Sequence, residues 1–368
     1  MKLAIVGSVG VPGQYGGFET LAENLVRYHE TEARDIELTV YCSARAYPDR
    51  PDRYRSAALR YIGLDANGVQ SIPYDIFSLL DAARRGHDVI LLLGVSGALA
   101  LPLLRLVSRA QIVTNIDGME WRRDKWSGLA RWVLKTSERL AVRHSHRVVA
   151  DNAGIADHVR AAYGPEAEVI EYGGDHAVAP VDAPAADLPP LPDSYALALC
   201  RIEPENNVHV ILEAFAEAGA PLVFVGNWDR SAYGRELVAA YGTRSNLTLL
   251  DPVYDPAALL AIRGGASSYV HGHSAGGTNP SLVEMMHFGI PILAFDCTYN
   301  RYTTEESARF FADAPTLAGL VRTPDPDPER GAKLLAIARR RYTWARIGRR
   351  YFDLFRAVTR GSAAAPQD

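Results

Sequence analysis

The sequence contains few cysteines, with only Cys42, Cys200 and Cys297 among its 368 residues. The three are far apart and form no C-x-x-C pair, so they indicate neither a disulfide framework nor a zinc site. Reduced thiols in the cytoplasm are the simplest interpretation. We therefore expect a cytoplasmic protein without a bound metal ion.

The sequence also lacks a basic excess and a long uninterrupted apolar run. Its net charge of −4 argues against a general nucleic-acid-binding protein. The longest uncharged stretch, Val89–Leu104, is shorter than the roughly 18–20 residues of a membrane-spanning helix, and glycine and proline interrupt it. We interpret it as a buried strand, a Gly-Ser turn and the start of a buried helix, so any membrane contact is expected to be peripheral.

Short apolar runs alternate with helical patterns along most of the chain. This alternation predicts βαβ units and parallel sheets. It stops at residues 177–193, a Pro- and Ala-rich segment without periodicity, which indicates a linker. We therefore predict two Rossmann-like domains, over 1–176 and 194–341, facing an interdomain cleft in which a ligand binds. An amphipathic helix over 342–360 is expected to pack back on the first domain.

A glycine-rich loop follows the first predicted strand and ends at Gly16 and Gly17, where a helix begins. Glycines at this place let backbone N–H groups approach an anion closely. The loop does not fit a nicotinamide dinucleotide, because its glycines are spaced G-x-x-G-x-x-G and the second strand ends without an acid to hold the ribose. The alternative is a turn without a ligand.

Acidic and basic residues follow the strand that ends near residue 114. Asp117 and Glu120 are expected at the carboxyl edge of the sheet, where ligands bind, although Asp117 could instead cap the next helix. Residues 122–143 then carry a basic stripe with Trp126 and Trp132 nearby, formed by Arg131, Lys135, Arg139 and Arg143. Such a helix suits an anionic membrane surface, and the alternative is a solvated charged face beside core tryptophans.

The second domain begins with a strand that leads into Arg201. A guanidinium at a strand end suits a diphosphate, because its planar fork matches phosphate oxygens. The alternative is a surface salt bridge to Glu203 or Glu205. Asn206 and Asn207 are expected to cap the helix that follows.

A second glycine-rich turn runs from Gly276 to Glu284, between a strand and a helix. We predict that Asn279 caps this helix and that Pro280 is its first residue. The free N–H groups and the positive end of the helix dipole then form an anion site. Glu284 lies about one turn into the helix, where its carboxylate is placed to accept hydrogen bonds from sugar hydroxyls.

Two histidines, His271 and His273, precede this turn. They alternate at the end of a strand, so we expect only one of them to face the cleft. No third metal ligand lies nearby, and a metal site is therefore not expected.

Taken together, these segments resemble the GT-B glycosyltransferases, specifically the GT4-like retaining group. Their sequence motifs are similar to those of the rhamnosyltransferase-type subfamily of polysaccharide biosynthesis. The resemblance rests on GGFETLAENL, NIDGMEWRRDKW, CRIEPENN, HGHSAGGTNPSLVEMM and YNRYTTEES. It implies the α/β GT-B fold, with an acceptor-side N-terminal domain, a nucleotide-sugar C-terminal domain and a C-terminal crossover helix.

The resemblance also implies roles for single residues. Arg201 would neutralise the nucleotide diphosphate, Glu284 would hold the ribose, and Asp117 is the candidate for contacting the sugar or the acceptor; these three are the candidate catalytic residues. Tyr254 lies where such enzymes receive the base. The candidate donor-binding residues are Gly16, Gly17, Asn206, Tyr254, Gly276, Gly277, Thr278 and Asn279.

Two positions depart from the pattern of the group. Gly276 stands where the first of two glutamates is usual, and Asn206 stands where a lysine is usual. The missing glutamate normally binds hydroxyls of an ordinary hexose. Its absence puts glucose, galactose and mannose donors in doubt and fits a deoxysugar better. The missing lysine leaves the diphosphate dependent on Arg201, helix dipoles and Arg301.

The implied function is a retaining, metal-independent hexosyltransferase without a cofactor. It would move L-rhamnose from dTDP-rhamnose onto a lipid-linked saccharide in cell-surface polysaccharide assembly, at the inner face of the membrane. Three alternatives stay open. They are a transferase for UDP-hexose or UDP-N-acetylhexosamine, a GT-B sugar-nucleotide epimerase or phosphorylase, and a non-catalytic sugar-nucleotide-binding protein.

Overall fold

The computed structural model describes residues 1–13, 16–116, 118, 121, 128–181 and 188–363, without the side chains of 129 and 361–363. The chain divides into two compact units. The first comprises Met1–Tyr172 and the segment that begins at Trp344, and the second is Gly173–Thr343. A 3-10 helix, Asp175–Val178, overlaps the start of the expected linker and belongs to the second unit.

The first unit is built on an eight-stranded sheet with the order β3-β4-β2-β1-β5-β6-β7-β8. All neighbouring strands in it are parallel except β3 and β4. Its central strands are buried on both faces, which explains their continuous apolar sequences. The strands are β1 (Lys2–Val6), β2 (Glu37–Ser43), β3 (Arg53–Tyr54), β4 (Ala57–Ile62), β5 (Val89–Leu93), β6 (Gln111–Ile116), β7 (Arg147–Ala150) and β8 (Glu168–Val169).

Five helices of the first unit alternate with these strands. They are α1 (Gly17–Glu32), α2 (Ser71–Arg84), α3 (Leu101–Val107), α4 (Gly128–His144) and α5 (Ala153–Tyr163). The expected burial of the start of the helix after β5 is confirmed for one of its faces only. Leu101 and Leu104 face the core, but Leu103 is exposed, because α3 packs with only one face.

The second unit contains a six-stranded, fully parallel sheet with the order β11-β10-β9-β12-β13-β14. Its strands are β9 (Ala196–Leu199), β10 (Leu222–Val225), β11 (Leu247–Leu250), β12 (Ser268–His271), β13 (Ile292–Phe295) and β14 (Arg309–Phe311). Its helices are α6 (Val208–Ala218), α7 (Ala232–Tyr241), α8 (Pro256–Gly264), α9 (Pro280–Met286), α10 (Thr298–Thr304), α11 (Ala314–Arg322) and α12 (Arg330–Arg341).

The last helix, α13 (Trp344–Ala363), returns to the first unit and packs on α1. Gly348 makes this approach close, because a Cβ on it would lie 2.3 Å from the ring of Tyr28. Asn115 donates a hydrogen bond to the hydroxyl of Tyr351 at 2.7 Å, which joins α13 to the end of β6. None of the described helices is long and apolar enough to cross a membrane.

Both sheets reverse their strand order at one place. In the first sheet β1 lies beside β5, and in the second β9 lies beside β12. Open α/β sheets bind ligands outside the carboxyl ends of the strands at such a switch point. The loops after β1, β5, β9 and β12 are therefore where functional residues are expected.

Candidate functional site

The loops that follow β9 and β12 are tied together at the switch point of the second sheet. The side-chain amide of Asn207 donates to the carbonyl of Gly272 at 2.8 Å. The backbone N–H and the hydroxyl of Ser274 donate to the carbonyl of Glu205 at 3.1 and 2.8 Å. A Cβ at Gly272 would lie 2.2 Å from the carbonyl oxygen of Asn206, so only glycine fits there.

Arg201 begins the first of these loops. Its side chain is 40% exposed, and its guanidinium lies 3.8 Å from the carboxylate of Glu203, a long surface ion pair of small energetic value. The salt bridge considered from the sequence is therefore present but weak. The side chain of Asn206 donates to the carbonyl of Arg201 at 2.7 Å and fixes the backbone beneath the guanidinium.

The expectation that Asn206 and Asn207 cap α6 with their side chains is wrong. Asn207 occupies the N-cap position with φ 50, but its side chain makes no capping hydrogen bond. The amide of Asn206 instead holds its own loop through the carbonyl of Arg201, and the amide of Asn207 bridges to the loop after β12 through the carbonyl of Gly272. Sequence position alone could not distinguish a cap from such a bridge.

The turn before α9 has the local structure that the sequence predicts. Asn279 is the N-cap, its side-chain oxygen accepts from the backbone N–H of Ser281 at 3.1 Å, and Pro280 is the first helical residue. Gly277 is partly buried and Thr278 is buried. Gly276 has φ 112, which other residues rarely adopt, and a Cβ there would meet no atom within 4 Å.

Glu284 lies on α9, and its buried carboxylate contacts two basic side chains. Its carboxylate pairs with Arg263 of α8, and His176 Nε2 lies 3.2 Å from its other oxygen. Burial by itself raises the pKa of a carboxyl, but Arg263 and His176 outweigh it, so the pKa of Glu284 lies below its ordinary value. The expected contact with a ribose stays a prediction. Arg263 and His176 were not found from the sequence.

His271 and His273 do not alternate as expected. Their rings stack with centroids 4.5 Å apart and an angle of 13° between the planes. The expectation is wrong because positions i and i+2 of an extended segment point to the same side, so His271 and His273 share one side. His271 is buried, and burial lowers its pKa to about 3, which keeps the imidazole neutral. Among the described residues, no group of three His, Cys, Asp or Glu could hold a metal ion.

Two further residues were assigned to the donor. Tyr254 lies between β11 and α8 with an exposed side chain. The guanidinium of Arg301 is bound by Asp296 at 2.6 and 2.8 Å, contacts Glu306, and lies 4.4 Å from the ring centre of Phe310. These partners already neutralise Arg301, so the structure does not favour the suggested contribution to a diphosphate.

The glycine loop of the first unit is fixed at its start. Gly7 has φ 91, and a Cβ there would lie 2.2 Å from the carbonyl oxygen of Leu93 at the end of β5. Gly16 is the N-cap of α1 with an extended backbone, and Gly17 is the first residue of that helix. The loop therefore spans the switch point of the first sheet, where ligands are expected.

Asp117 and Glu120 lie outside the described residues, and so does Trp126. The role predicted for Asp117 therefore remains a prediction from the sequence. The strand before it, β6, ends at Ile116 as part of the parallel sheet. This places the described end of that strand at the carboxyl edge of the sheet.

The basic stripe lies on the outer face of α4. Its four cationic residues, Arg131, Lys135, Arg139 and Arg143, are all exposed. Trp132 is 66% exposed and so is not a core residue. Glu138 points inward and accepts from the indole N–H of Trp121 and the hydroxyl of Tyr163 at 3.0 and 2.7 Å. The outer surface of the helix is therefore positive and partly aromatic.

Two family profiles cover most of the chain. Residues 184–322 match the glycosyl transferases group 1 family, and residues 1–175 match a domain of unknown function, DUF1972. No curated protein sequence matches the chain. The second unit therefore carries a group 1 glycosyltransferase domain.

Solved structures resemble the chain over nearly its whole length. A sucrose-phosphate synthase from Thermosynechococcus elongatus matches with a TM-score of 0.78 and 16% identity, over 98% of this chain and 99% of that chain. Anabaena HepE in complex with UDP and glucose matches with a TM-score of 0.68 and 14% identity, over 97% and 99%. A putative UDP-N-acetylglucosamine 2-epimerase from Listeria monocytogenes matches with a TM-score of 0.64 and 14% identity, over 98% and 96%. These likenesses confirm the expected fold class, two α/β domains with parallel sheets of the GT-B type.

Proposed function

We propose that the chain, a glycosyltransferase of the group 1 type with the GT-B fold, transfers L-rhamnose from dTDP-rhamnose to a saccharide acceptor. The acceptor is lipid-linked, the anomeric configuration is retained, and neither a metal ion nor a cofactor takes part. The product belongs to a cell-surface polysaccharide assembled at the inner face of the membrane. The donor and the acceptor rest on the sequence resemblance to the rhamnosyltransferase-type subfamily.

The observation that carries the proposal is the connection between the loops after β9 and β12. Asn207 and Ser274 join them, so that the loop bearing Arg201 and the loop leading to the Gly276–Asn279 turn form one structure. This structure lies at the switch point of the parallel sheet, where such sheets bind ligands. A guanidinium and a turn rich in backbone N–H groups are partners suited to a diphosphate.

The chemistry of the proposed reaction is electrostatic. When the bond between the sugar and the diphosphate breaks, negative charge develops on the leaving phosphate, and preorganised positive groups lower the energy of that state. Arg201 suits this role, because its side chain is 40% exposed and its ion pair with Glu203 is a long one of 3.8 Å. Asn206, where the group usually has a lysine, supports the loop through the carbonyl of Arg201 instead of binding phosphate with a charge.

The donor sugar is inferred from position 276. A glutamate at φ 112 would be strained, so the backbone of this turn suits the glycine that the sequence has. Without the glutamate, no carboxylate from this position reaches the sugar hydroxyls. A deoxysugar such as rhamnose has fewer hydroxyls to satisfy, which favours it over glucose, galactose or mannose.

A membrane contact through residues 122–143 is part of the proposal. The exposed stripe of α4 and the exposed indole of Trp132 support it, because basic residues with tryptophan suit an anionic lipid surface. The contact would bring the enzyme to a lipid-linked acceptor. Asp117 is proposed to contact the sugar or the acceptor.

A transfer assay tests the proposal directly. The purified chain is incubated with dTDP-rhamnose, with and without a lipid-linked oligosaccharide, and dTDP release and product mass are measured in buffer containing EDTA. We expect transfer that depends on the acceptor and survives EDTA. Arg201→Ala should abolish most of it, whereas Arg322→Ala, an exposed arginine paired with Glu217 in the same unit, should not.

The same assay separates the alternatives. An epimerase would convert a UDP-sugar without any acceptor. This alternative is tested because the chain resembles the Listeria structure in fold. A different transferase would use UDP-hexose or UDP-N-acetylhexosamine and leave dTDP-rhamnose unchanged. A non-catalytic binding protein would bind the nucleotide and turn over neither donor.

A further inference from the structure

The first unit exposes an aliphatic ridge on α3. Leu103, Leu106 and Val107 are 54%, 84% and 67% exposed, and Leu99, in the turn before the helix, is also exposed. Their spacing places them along one side of α3, while Leu101 and Leu104 fill the core from the other side. A soluble surface rarely carries such a contiguous group of leucines without a partner.

The ridge continues into a groove beside α2. This groove has a volume of about 810 Å³ and is lined by Phe77 and Val107 together with basic residues, so it joins the side chains of α2 to the end of α3. Phe77 is 55% exposed. The apolar surface is therefore larger than α3 alone and includes an aromatic ring.

Arginines border this apolar surface on the side of α2. Arg60, Arg84 and Arg85 line the groove, and its acid, Asp81, is bound to Arg85 at 2.6 Å. Within the described part of the chain, Arg60 and Arg84 have no carboxylate at ion-pair distance. Arg109, just after α3, is exposed as well.

The basic stripe of α4 is a separate surface. Although α3 packs against α4, Lys135, Arg139 and Arg143 line another groove together with Tyr163 and Pro165 at the end of α5. An aliphatic ridge bordered by the arginines of the groove beside α2 complements an anionic bilayer, because leucines enter the region of the headgroups while arginines bind the lipid phosphates. A protein partner would have to match the same pattern with a hydrophobic groove and an acidic border.

We propose that the face formed by Phe77, Leu103, Leu106 and Val107, with Arg60 and Arg84 at its edge, docks on an anionic lipid bilayer. This surface differs from residues 122–143 and adds apolar insertion to the electrostatic attraction of that stripe. It does not depend on the identity of the donor sugar. The two inferences can therefore fail separately.

Vesicle co-sedimentation of the full chain tests the docking face. Vesicles of phosphatidylcholine with phosphatidylglycerol are compared with phosphatidylcholine alone, and the bound fraction is measured at low and high salt. We expect binding to the anionic vesicles that weakens with salt. Leu106→Glu should lower the partition coefficient by about tenfold or more, because a leucine that inserts into the bilayer on docking is replaced by a charge that the lipid repels. Leu106 is exposed, so the variant should fold, which circular dichroism checks.

Two controls keep the result specific. Val238→Glu places the same charge on another exposed aliphatic residue, in the second unit, and should bind vesicles like the wild type. Arg84→Gln should weaken binding to the anionic vesicles and reduce its salt dependence. Wild-type binding by Leu106→Glu would overturn the proposal, and so would absence of vesicle binding by the unaltered chain. A dimer in sedimentation velocity that Leu106→Glu dissociates, without vesicle binding, would assign the face to a second copy instead.

Discussion

Replacing Glu284 by glutamine removes the charge that Arg263 pairs with inside the second unit. The two side chains are only 10% and 9% exposed, so the guanidinium would be left buried without a counter-charge. Breaking a buried pair in this way costs roughly 3–5 kcal/mol. In a unit of this size, that corresponds to a fall in melting temperature on the order of 10 °C. His176 Nε2, 3.2 Å from the carboxylate, loses its contact with a charged oxygen as well.

Thermal unfolding followed by circular dichroism measures this effect, with Glu217→Gln as the matched control. Glu217 pairs with Arg322 at 3.0 Å, but both side chains are about half exposed (50% and 49%), so its loss should cost about 1 kcal/mol or less.

The pH dependence of the unfolding temperature gives a second check. Because the pKa of Glu284 is lowered in the folded state, its contribution is complete above the pKa of an unfolded glutamate and is lost as the pH falls. The difference in melting temperature between the wild type and Glu284→Gln should therefore become smaller at acidic pH. Equal destabilisation by the two substitutions at neutral pH would refute the reasoning.

Three further substitutions test the tied loops. Arg201→Ala should lower kcat/KM for the donor by roughly 10–1,000-fold in steady-state transfer assays, with partial recovery in Arg201→Lys, because a charge opposite the leaving phosphate is lost. Gly276→Ala should destabilise the chain by about 1–3 kcal/mol in denaturant titrations, because alanine at φ 112 is strained even in open space. Gly272→Ala should unfold at a lower temperature than Gly276→Ala, because its Cβ would meet the carbonyl oxygen of Asn206 at 2.2 Å. Unchanged stability in Gly272→Ala would show that the two loops are not packed as described.

Features that depend on local chemistry could be predicted from the sequence. The alternation of apolar runs and helical patterns gave parallel α/β units, since each pattern reports the face that a segment buries. Asn279 and Pro280 marked the start of α9, because an amide oxygen and a missing N–H suit the first turn of a helix. The glycine loop and Arg201 were found in the same way, at the ends of predicted strands.

Features that depend on tertiary contacts could not be predicted. Arg263 and Glu284 are 21 residues apart on different helices, and nothing in their sequence surroundings pairs them. The uncharged stretch ending at Leu104 was expected to be buried, because composition does not show that α3 leaves one side uncovered.

Calorimetric titration of dTDP into the wild-type chain and Arg201→Ala tests the central claim most directly. The claim is that the second unit holds a nucleoside diphosphate at the loops after β9 and β12. We expect the wild type to bind dTDP and to unfold at a higher temperature in its presence, since a ligand of the folded state stabilises by mass action. Arg201→Ala should bind more weakly. Equal binding of dTDP by both proteins, or stabilisation by nicotinamide dinucleotides alone, would contradict the claim.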